Sequence, residues 1–427
     1  MNMQQAAALI ESRGRFGRNL GHRFMLELLH GLGDPQKGLK YVHIAGTNGK
    51  GSCSAMMSSV LCAAGYRTGL FTSPHLVSYA ERIEVGGKPI SDDEFCALAA
   101  EVCSAAEALD KKYPDDGITV FELLTVMGLV HFARCCDVAV LEVGMGGRLD
   151  ATNIIDMPEA AVIMNIGLEH TEYLGSTVGE IAFEKAGIIK PGCEVAAYDS
   201  GDEALCVIKR VCAERNAALR VADFNKIKLL SQDISGQHFD CEGWQDIFIP
   251  LLGEHQRRNA AVALAAVDIL RGRGFDIPDD AVRQGLGGAC WPARMEVLGR
   301  DPLFILDGAH NPQCAAALAA GLREVFGGDK FTFLIGVLAD KNYIEMMRPL
   351  VPLARRFVCV APASPRALEP QKLAEALKGL GAAETVCADS LPAAFDTALS
   401  FGDCGTVACG SLYLAGAVRD EFLHRQN

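Results

Sequence analysis

Short continuous apolar runs alternate with longer amphipathic stretches along most of the chain. This rhythm constrains the fold more than any other feature. Asp137–Val143 (DVAVLEV) and Ala160–Ile166 (AAVIMNI) lack the in–out alternation of a half-solvated strand; runs of this kind belong to strands covered on both faces. Further strands are predicted at Tyr41–Ala45 and Thr68–Thr72, with helices at Ser52–Ala64, Asp93–Lys112, Val120–Ala133, Val178–Ala186 and Gln256–Arg271. The last third repeats the pattern. Strands are predicted at Leu303–Leu306, Phe331–Ile335, Phe357–Val360, Glu384–Cys387 and Thr406–Cys409, and helices at Cys314–Phe326, Tyr343–Leu353, Pro370–Leu380, Pro392–Phe401 and Leu412–Leu423. Strand–helix alternation means βαβ units and a mostly parallel sheet. The chain of 427 residues has room for two or three domains. Gly, Trp and Pro interrupt the periodicity at Gly287–Gly299. The reading is α/β: a large N-terminal domain over 1–292, which the glycine- and lysine-bearing turn at Gly46–Ser52 marks as mononucleotide-binding, and a smaller Rossmann-like domain over 293–427. Ligands of such folds sit at the carboxyl ends of strands and, here, in the cleft between domains.

Composition excludes several classes. The net charge of −13 is a poor background for nucleic-acid or anionic-membrane binding. No apolar run approaches the ~18 residues of a membrane span, and the N-terminus lacks a signal pattern, so a cytoplasmic protein is expected. The 16 cysteines form no CxxC pair and read as free thiols.

The chemistry is concentrated in a few segments. In Ile44–Ser52 (IAGTNGKGS) a strand runs through a Gly-rich turn with a lysine into a helix. Backbone N–H groups, the helix N-terminus and Lys50 together suit a phosphate chain. The spacing is not the usual GxxxxGK[ST], and Gly51 stands in the Ser/Thr place, so a Gly-rich turn with a solvated lysine is the alternative. Glu142 ends a buried strand before a second Gly-rich loop, where a nucleotide's Mg²⁺ is held; a capping or salt-bridged glutamate is the bland reading. His170 follows another buried strand and is, by residue type alone, more often structural. Lys185 lies on a helix among Ala and Ile, where a snorkelling surface lysine is the alternative. Asp307 and His310 (DGAHNP) end the first C-terminal strand, and Arg294 lies on the proposed linker.

The segments AGTNGKGS, TSPHL, EVGMGGRLDATN, GLEHTEYLG, FEKAGIIKPG, GEHQRRNAAVA, PARME and DGAHNP occur in one order. In this the chain resembles the folylpolyglutamate synthase/dihydrofolate synthase family, a branch of the Mur-type ATP-dependent amide ligases, from about Leu20 to Leu423. One departure is Ala293, where the family more often has Gly before the arginine; a small backbone adjustment is expected there. RLDATN is the form associated with bifunctional bacterial enzymes.

The resemblance implies that ATP phosphorylates a carboxylate and that the amine of L-glutamate attacks the acyl phosphate, releasing ADP and phosphate. It implies catalytic roles for Lys50, His170, Lys185, Asp307 and His310. Gly49, Lys50, Gly51, Ser52, Asn259, Arg294 and Asp307 would contact ATP. Ser73, Glu142, His170 and Lys185, the last as a CO₂-derived carbamate, would hold two Mg²⁺ ions. Phe121, Asp150, Ala151 and Thr152 would meet the pterin, with Asn19–Arg23 loosely matching a further pterin segment. His310 and Ser411 are the candidates for glutamate. The implied partners are small molecules only, with no nucleic acid and no membrane, and the protein is expected to be a monomer. Rival readings are a muramyl-peptide ligase, which normally carries an extra N-terminal domain; a non-enzymatic nucleotide-binding regulator; and a dinucleotide oxidoreductase, for which no suitably placed GxGxxG exists.

Overall fold

The computed structural model describes residues 1–14, 22–113 and 117–426. They group into two compact units. The first comprises 1–228, 240–247 and 258–289; the second comprises 229–239, 248–257 and the residues from 290 onward. A single cut after 292 does not capture this grouping, because 229–239 and 248–257 go with the C-terminal residues.

The first unit is built on eight strands: β1 (Lys40–Ala45), β2 (Thr68–Phe71), β3 (Ile83–Val85), β4 (Lys88–Pro89), β5 (Val138–Glu142), β6 (Ala160–Ile163), β7 (Glu194–Ala197) and β8 (Ala218–Val221). Their order is β4-β3-β2-β5-β1-β6-β7-β8. All pairings are parallel except β2/β3 and β3/β4 at one edge. The apolar runs behave as expected: every residue of β2, β5 and β6 is buried. Register places Ile44 opposite Glu142 and Ala45 opposite Ile163. The chain therefore leaves β1, β5 and β6 side by side, which brings the Gly-rich turn, the Gly144–Asp150 loop and the Asn165–Gly167 segment to one strand-end surface. The outer strands β3, β4, β7 and β8 were not anticipated: β3 and β4 are three and two residues long, and the four-residue β7 and β8 carry the charged Glu194 and Arg220.

Between residues 228 and 249 the chain forms a three-stranded sheet, β9 (Lys228–Asp233), β10 (Gly236–Cys241) and β11 (Trp244–Ile249), in the order β11-β10-β9. This sheet also lay outside the sequence reading, because charged and amide residues interrupt its strands and the longest apolar run within them is the three residues Ile247–Ile249.

The second unit holds six strands: β12 (Glu296–Arg300), β13 (Leu303–Leu306), β14 (Phe331–Ile335), β15 (Ala354–Cys359), β16 (Thr385–Cys387) and β17 (Thr406–Cys409). The order is β12-β13-β17-β14-β15-β16, with β12 antiparallel to β13 and the rest parallel. Phe333 stacks on Phe357 at 5.4 Å in its core. The helix expected over Tyr343–Leu353 is broken: an α-helix covers Tyr343–Met347 and a 3₁₀ turn covers Val351–Leu353. Pro349 and Pro352 supply no N–H donors and crowd the preceding turn. Among the described residues, no helix is long and apolar enough to cross a membrane.

Candidate active site

The turn after β1 leads into the helix Lys50–Ala63, with Gly49 at the N-cap in a left-handed conformation, φ +86°. A Cβ on Gly49 would lie 2.6 Å from the Asn259 Oδ1, so conformation and space both call for glycine. The buried Asn259, on the helix Glu254–Gly272, is thus brought against the turn. Ser52 is buried in the first turn of the helix, and Thr47 ties the loop to the end of β6 through its N–H to Asn165 O (2.7 Å) and its hydroxyl to Gly167 O (3.1 Å). Lys50 folds back on its own turn, Nζ donating to Gly46 O at 3.1 Å and Thr47 O at 3.2 Å.

Lys185 is not a surface lysine. It is 4% exposed in the last turn of the helix Val178–Ala186, and its Nζ donates to Gly46 O at 2.8 Å. Burial, and secondarily the Lys50 charge, bring its pKa down to about 7. Glu142, the last residue of β5 and 4% exposed, accepts from the Ser73 N–H at 3.1 Å. His170 lies seven residues beyond the end of β6 rather than at it. It takes the N-cap position of the short helix Thr171–Leu174 at φ +52°, its carbonyl accepting from Tyr173 and Leu174.

Among the described residues, no three or more His, Cys, Asp or Glu side chains cluster to hold a metal unaided. The donor set nevertheless suits Mg²⁺. That ion is commonly held by one or two protein carboxylates, with substrate phosphates and water completing its octahedron, and Glu142 is a buried carboxylate that accepts the Ser73 N–H and sits opposite Ile44, just before the phosphate-type turn.

The proposed pterin residues are mostly internal. The half-buried Phe121 ring, on the helix Val120–Cys135, fills the place of a Cβ on Gly144, which would lie 2.5 Å away. It packs on Phe71 with ring centroids 5.9 Å apart. The buried Asp150 carboxylate accepts from Thr152 N (3.0 Å), Thr152 Oγ1 (2.6 Å) and Met145 N (3.0 Å). Burial pushes its pKa up, opposed by these hydrogen bonds. Ala151 and Thr152 are buried as well. Asn19–Gly21 lie outside the described residues; Arg23 opens the helix Arg23–Gly31. One histidine beside this loop was missed: His43 meets Thr152. His22, inside the Asn19–Arg23 segment, is held below its usual pKa by burial, opposed by the charges of Glu122 and Asp150. A histidine inside the otherwise apolar Tyr41–Ala45 run was the available signal for His43.

In the second unit, Asp307 follows β13 and is buried. It accepts from the N–H groups of Met295 and Ala309, each at 2.8 Å. Burial pushes its carboxyl up, opposed by the Arg294 charge and these N–H groups. Arg294 Nη1 donates to Ala293 O at 2.8 Å, and His310 Nδ1 donates to Gly308 O at 2.9 Å, so these three side chains share one small loop cluster. Ala293 and Met295 flank Arg294 at φ +56° and +45°. Ser411 is buried, and its hydroxyl accepts from Leu414 N, capping the final helix.

Residues 44–267 match the Mur ligase middle domain and residues 293–408 the Mur ligase glutamate ligase domain. The fold and these matches define an ATP-dependent amide ligase of the Mur type. The chain is 37% identical to the folylpolyglutamate synthase of Lacticaseibacillus casei over 99% of both chains, and 38% identical to the dihydrofolate synthase/folylpolyglutamate synthase of Bacillus subtilis over 82% of this chain and 83% of that one. It superposes on Mycobacterium tuberculosis folylpolyglutamate synthase complexed with ADP and AMPPCP with a TM-score of 0.89, at 34% identity and 98% coverage of each. The chain belongs to the folylpolyglutamate synthase/dihydrofolate synthase family.

Proposed function

We propose that this ATP-dependent ligase joins L-glutamate to two acyl acceptors, the benzoate carboxyl of dihydropteroate and the γ-carboxyl of tetrahydrofolate and its polyglutamates. Relatives bearing both activity names support this reading, and a related structure described as an AMPPCP–folate complex is similar over 99% of this chain. The observation that carries the mechanism is the buried Lys185 amine beside Lys50 at the strand ends.

A carboxylate is a poor electrophile because its leaving group would be oxide. A carboxylate oxygen of the acceptor attacks the γ-phosphorus, the bond to the ADP oxygen breaks, and the acyl phosphate forms. The glutamate amine then attacks the acyl carbon, phosphate leaves and the amine loses a proton. Two anions must meet in the first step, so preorganised positive charge lowers its barrier. The Gly49–Ser52 N–H groups and Lys50 cradle the phosphates, and Asn259 braces the turn. Glu142, the Ser73 hydroxyl and His170 are the side chains that would hold two Mg²⁺ ions, which supply charge neutralisation at the transferring phosphoryl group. Lys185, whose amine gives up its proton far more readily than an ordinary lysine near neutral pH, is suited to add CO₂; the N–C bond forms, one proton leaves, and a cation becomes an oxygen ligand. The roles given above to Arg294, Asp307, His310 and Ser411, and the monomeric, cytoplasmic state, belong to the same proposal. So does the division of labour between an ATP-binding first domain and a glutamate-ligating second one.

The test is ADP release with ATP, Mg²⁺ and glutamate, with dihydropteroate and tetrahydrofolate supplied separately. Release with both supports two acceptors. Release with tetrahydrofolate alone reduces the activity to folylpolyglutamate synthesis.

A further inference from the structure

His43 stands in the middle of β1, a central strand covered on both faces, and is fully buried. Its Nε2 is 2.8 Å from Thr152 Oγ1, which is in turn 2.6 Å from Asp150 Oδ1. Asp150 Oδ1 also accepts the Thr152 N–H, and Oδ2 accepts the Met145 N–H. A threonine hydroxyl has a single proton. If it is given to Asp150, the hydroxyl oxygen must accept from His43, which makes Nε2 the protonated nitrogen. The reverse direction would place the proton on Nδ1, which has no partner, and a buried donor left without an acceptor carries its full desolvation cost. Burial holds the His43 pKa down to about 3, so the ring is neutral with one N–H to give.

The chain His43–Thr152–Asp150–Met145 ends beside Gly144, against which the Phe121 ring lies. An aliphatic residue at position 43 would pack in β1 without the cost of burying an imidazole. We propose that His43 is a positioning residue of the ligase: its Nε2–H, acting through the Thr152 hydroxyl, fixes the Asp150 turn and the Gly144–Met145 loop, and so holds the Phe121 wall for the flat pteridine of the acyl substrate. This rests on the folate reading above. His43 does not touch the reacting atoms. It decides how firmly the pterin, and not ATP, is held.

The tautomer is read directly by ¹⁵N NMR of the imidazole in the intact protein. The expected result is a neutral Nε2–H ring that becomes a tautomer mixture in Thr152→Val; an Nδ1–H or protonated ring overturns the proposal. In steady-state kinetics, His43→Leu is expected to raise KM for tetrahydrofolate roughly tenfold or more, since a buried hydroxyl loses its donor, with KM for ATP nearly unchanged. His43→Gln, whose amide nitrogen can donate to the same hydroxyl, should recover most of the loss. Parallel rises in both KM values, unchanged kinetics in His43→Leu, or equal behaviour of Leu and Gln would overturn it. If His43→Leu fails to fold, Thr152→Val against Thr152→Ser gives the same comparison. Absence of pterin- and glutamate-dependent ADP release by the unmutated protein would overturn the folate reading as well, whereas release with unaltered His43→Leu kinetics overturns this inference alone.

Discussion

Lys50 and Lys185 donate to one acceptor, the Gly46 carbonyl, at 3.1 and 2.8 Å. Two ammonium groups on one carbonyl repel each other, and the more deeply buried of the pair yields. Lys185 has its pKa brought down to about 7, with burial the larger cause and Lys50 the second. The arrangement sets beside the turn lysine an amine that loses its proton readily near neutral pH.

On the proposed mechanism Lys185→Ala is expected to lower turnover by at least about 10²-fold, because the carbamate oxygens would be lost from the cation site. Acetate or formate at high concentration should restore part of the rate by occupying the vacated space. Near-normal activity of the variant in bicarbonate-free buffer would remove the carbamate from the mechanism.

Lys50→Ala should cost on the order of 10³-fold in kcat/KM, since on the proposed mechanism it deletes a preorganised charge at the γ-phosphate. The fold should be retained, because this half-buried side chain bonds to carbonyls of its own turn, Gly46 O and Thr47 O. Loss of the far-ultraviolet circular dichroism signal would make the lysine structural instead.

Ala293 adopts φ +56°, a region unfavourable to any residue with a Cβ. Glycine, the residue the family more often carries there, removes that clash. Ala293→Gly is expected to stabilise the protein by up to about 1 kcal/mol, net of the entropy glycine adds to the unfolded chain. Urea denaturation measures it, and a destabilised variant would mean that the Ala293 methyl, which is fully buried, packs well enough to outweigh the strain.

Glu84 on β3 has its pKa raised to about 7, chiefly by burial and then by the charge of Glu81. Between the usual glutamate value and pH 7 the folded protein keeps a proton that the unfolded chain has released, so stability falls as pH rises through this window. Glu84→Gln should leave stability at pH 4 nearly unchanged and raise it at pH 8 by at most about 3 kcal/mol. A variant whose gain is the same at both pH values would show that Glu84 ionises normally.

Dihydropteroate ends at the carboxyl that reacts, whereas a folate carries a glutamate beyond that point. If both meet the same γ-phosphate, the pterin must sit at two depths. Phe121→Ala is expected to lower dihydrofolate synthesis several-fold more than glutamate addition to tetrahydrofolate, measured as ADP release with each acceptor. Equal losses would place both pterins in one pocket.

The sequence by itself determined the parallel core and the order of the chemical segments. Strands buried on both faces must be written as unbroken apolar runs, as in β5 and β6, and a phosphate turn must be written with glycines ahead of a helix, as before Lys50. Signals of these kinds are local, so they survive without the fold. The tertiary structure alone decided what required two distant segments to meet. It sank Lys185 onto the Gly46 carbonyl, 139 residues away in the chain, and so separated a buried amine from a snorkelling one. It turned the Asp150 and Thr152 side chains inward, where the sequence allowed them to face a ligand, and placed His43 beneath them across 109 residues. It also formed the β9–β11 sheet, whose strands carry only short, interrupted apolar runs. Periodicity records which face of an element is covered; the identity of the covering group is a property of packing, and packing is settled only when the whole chain is folded.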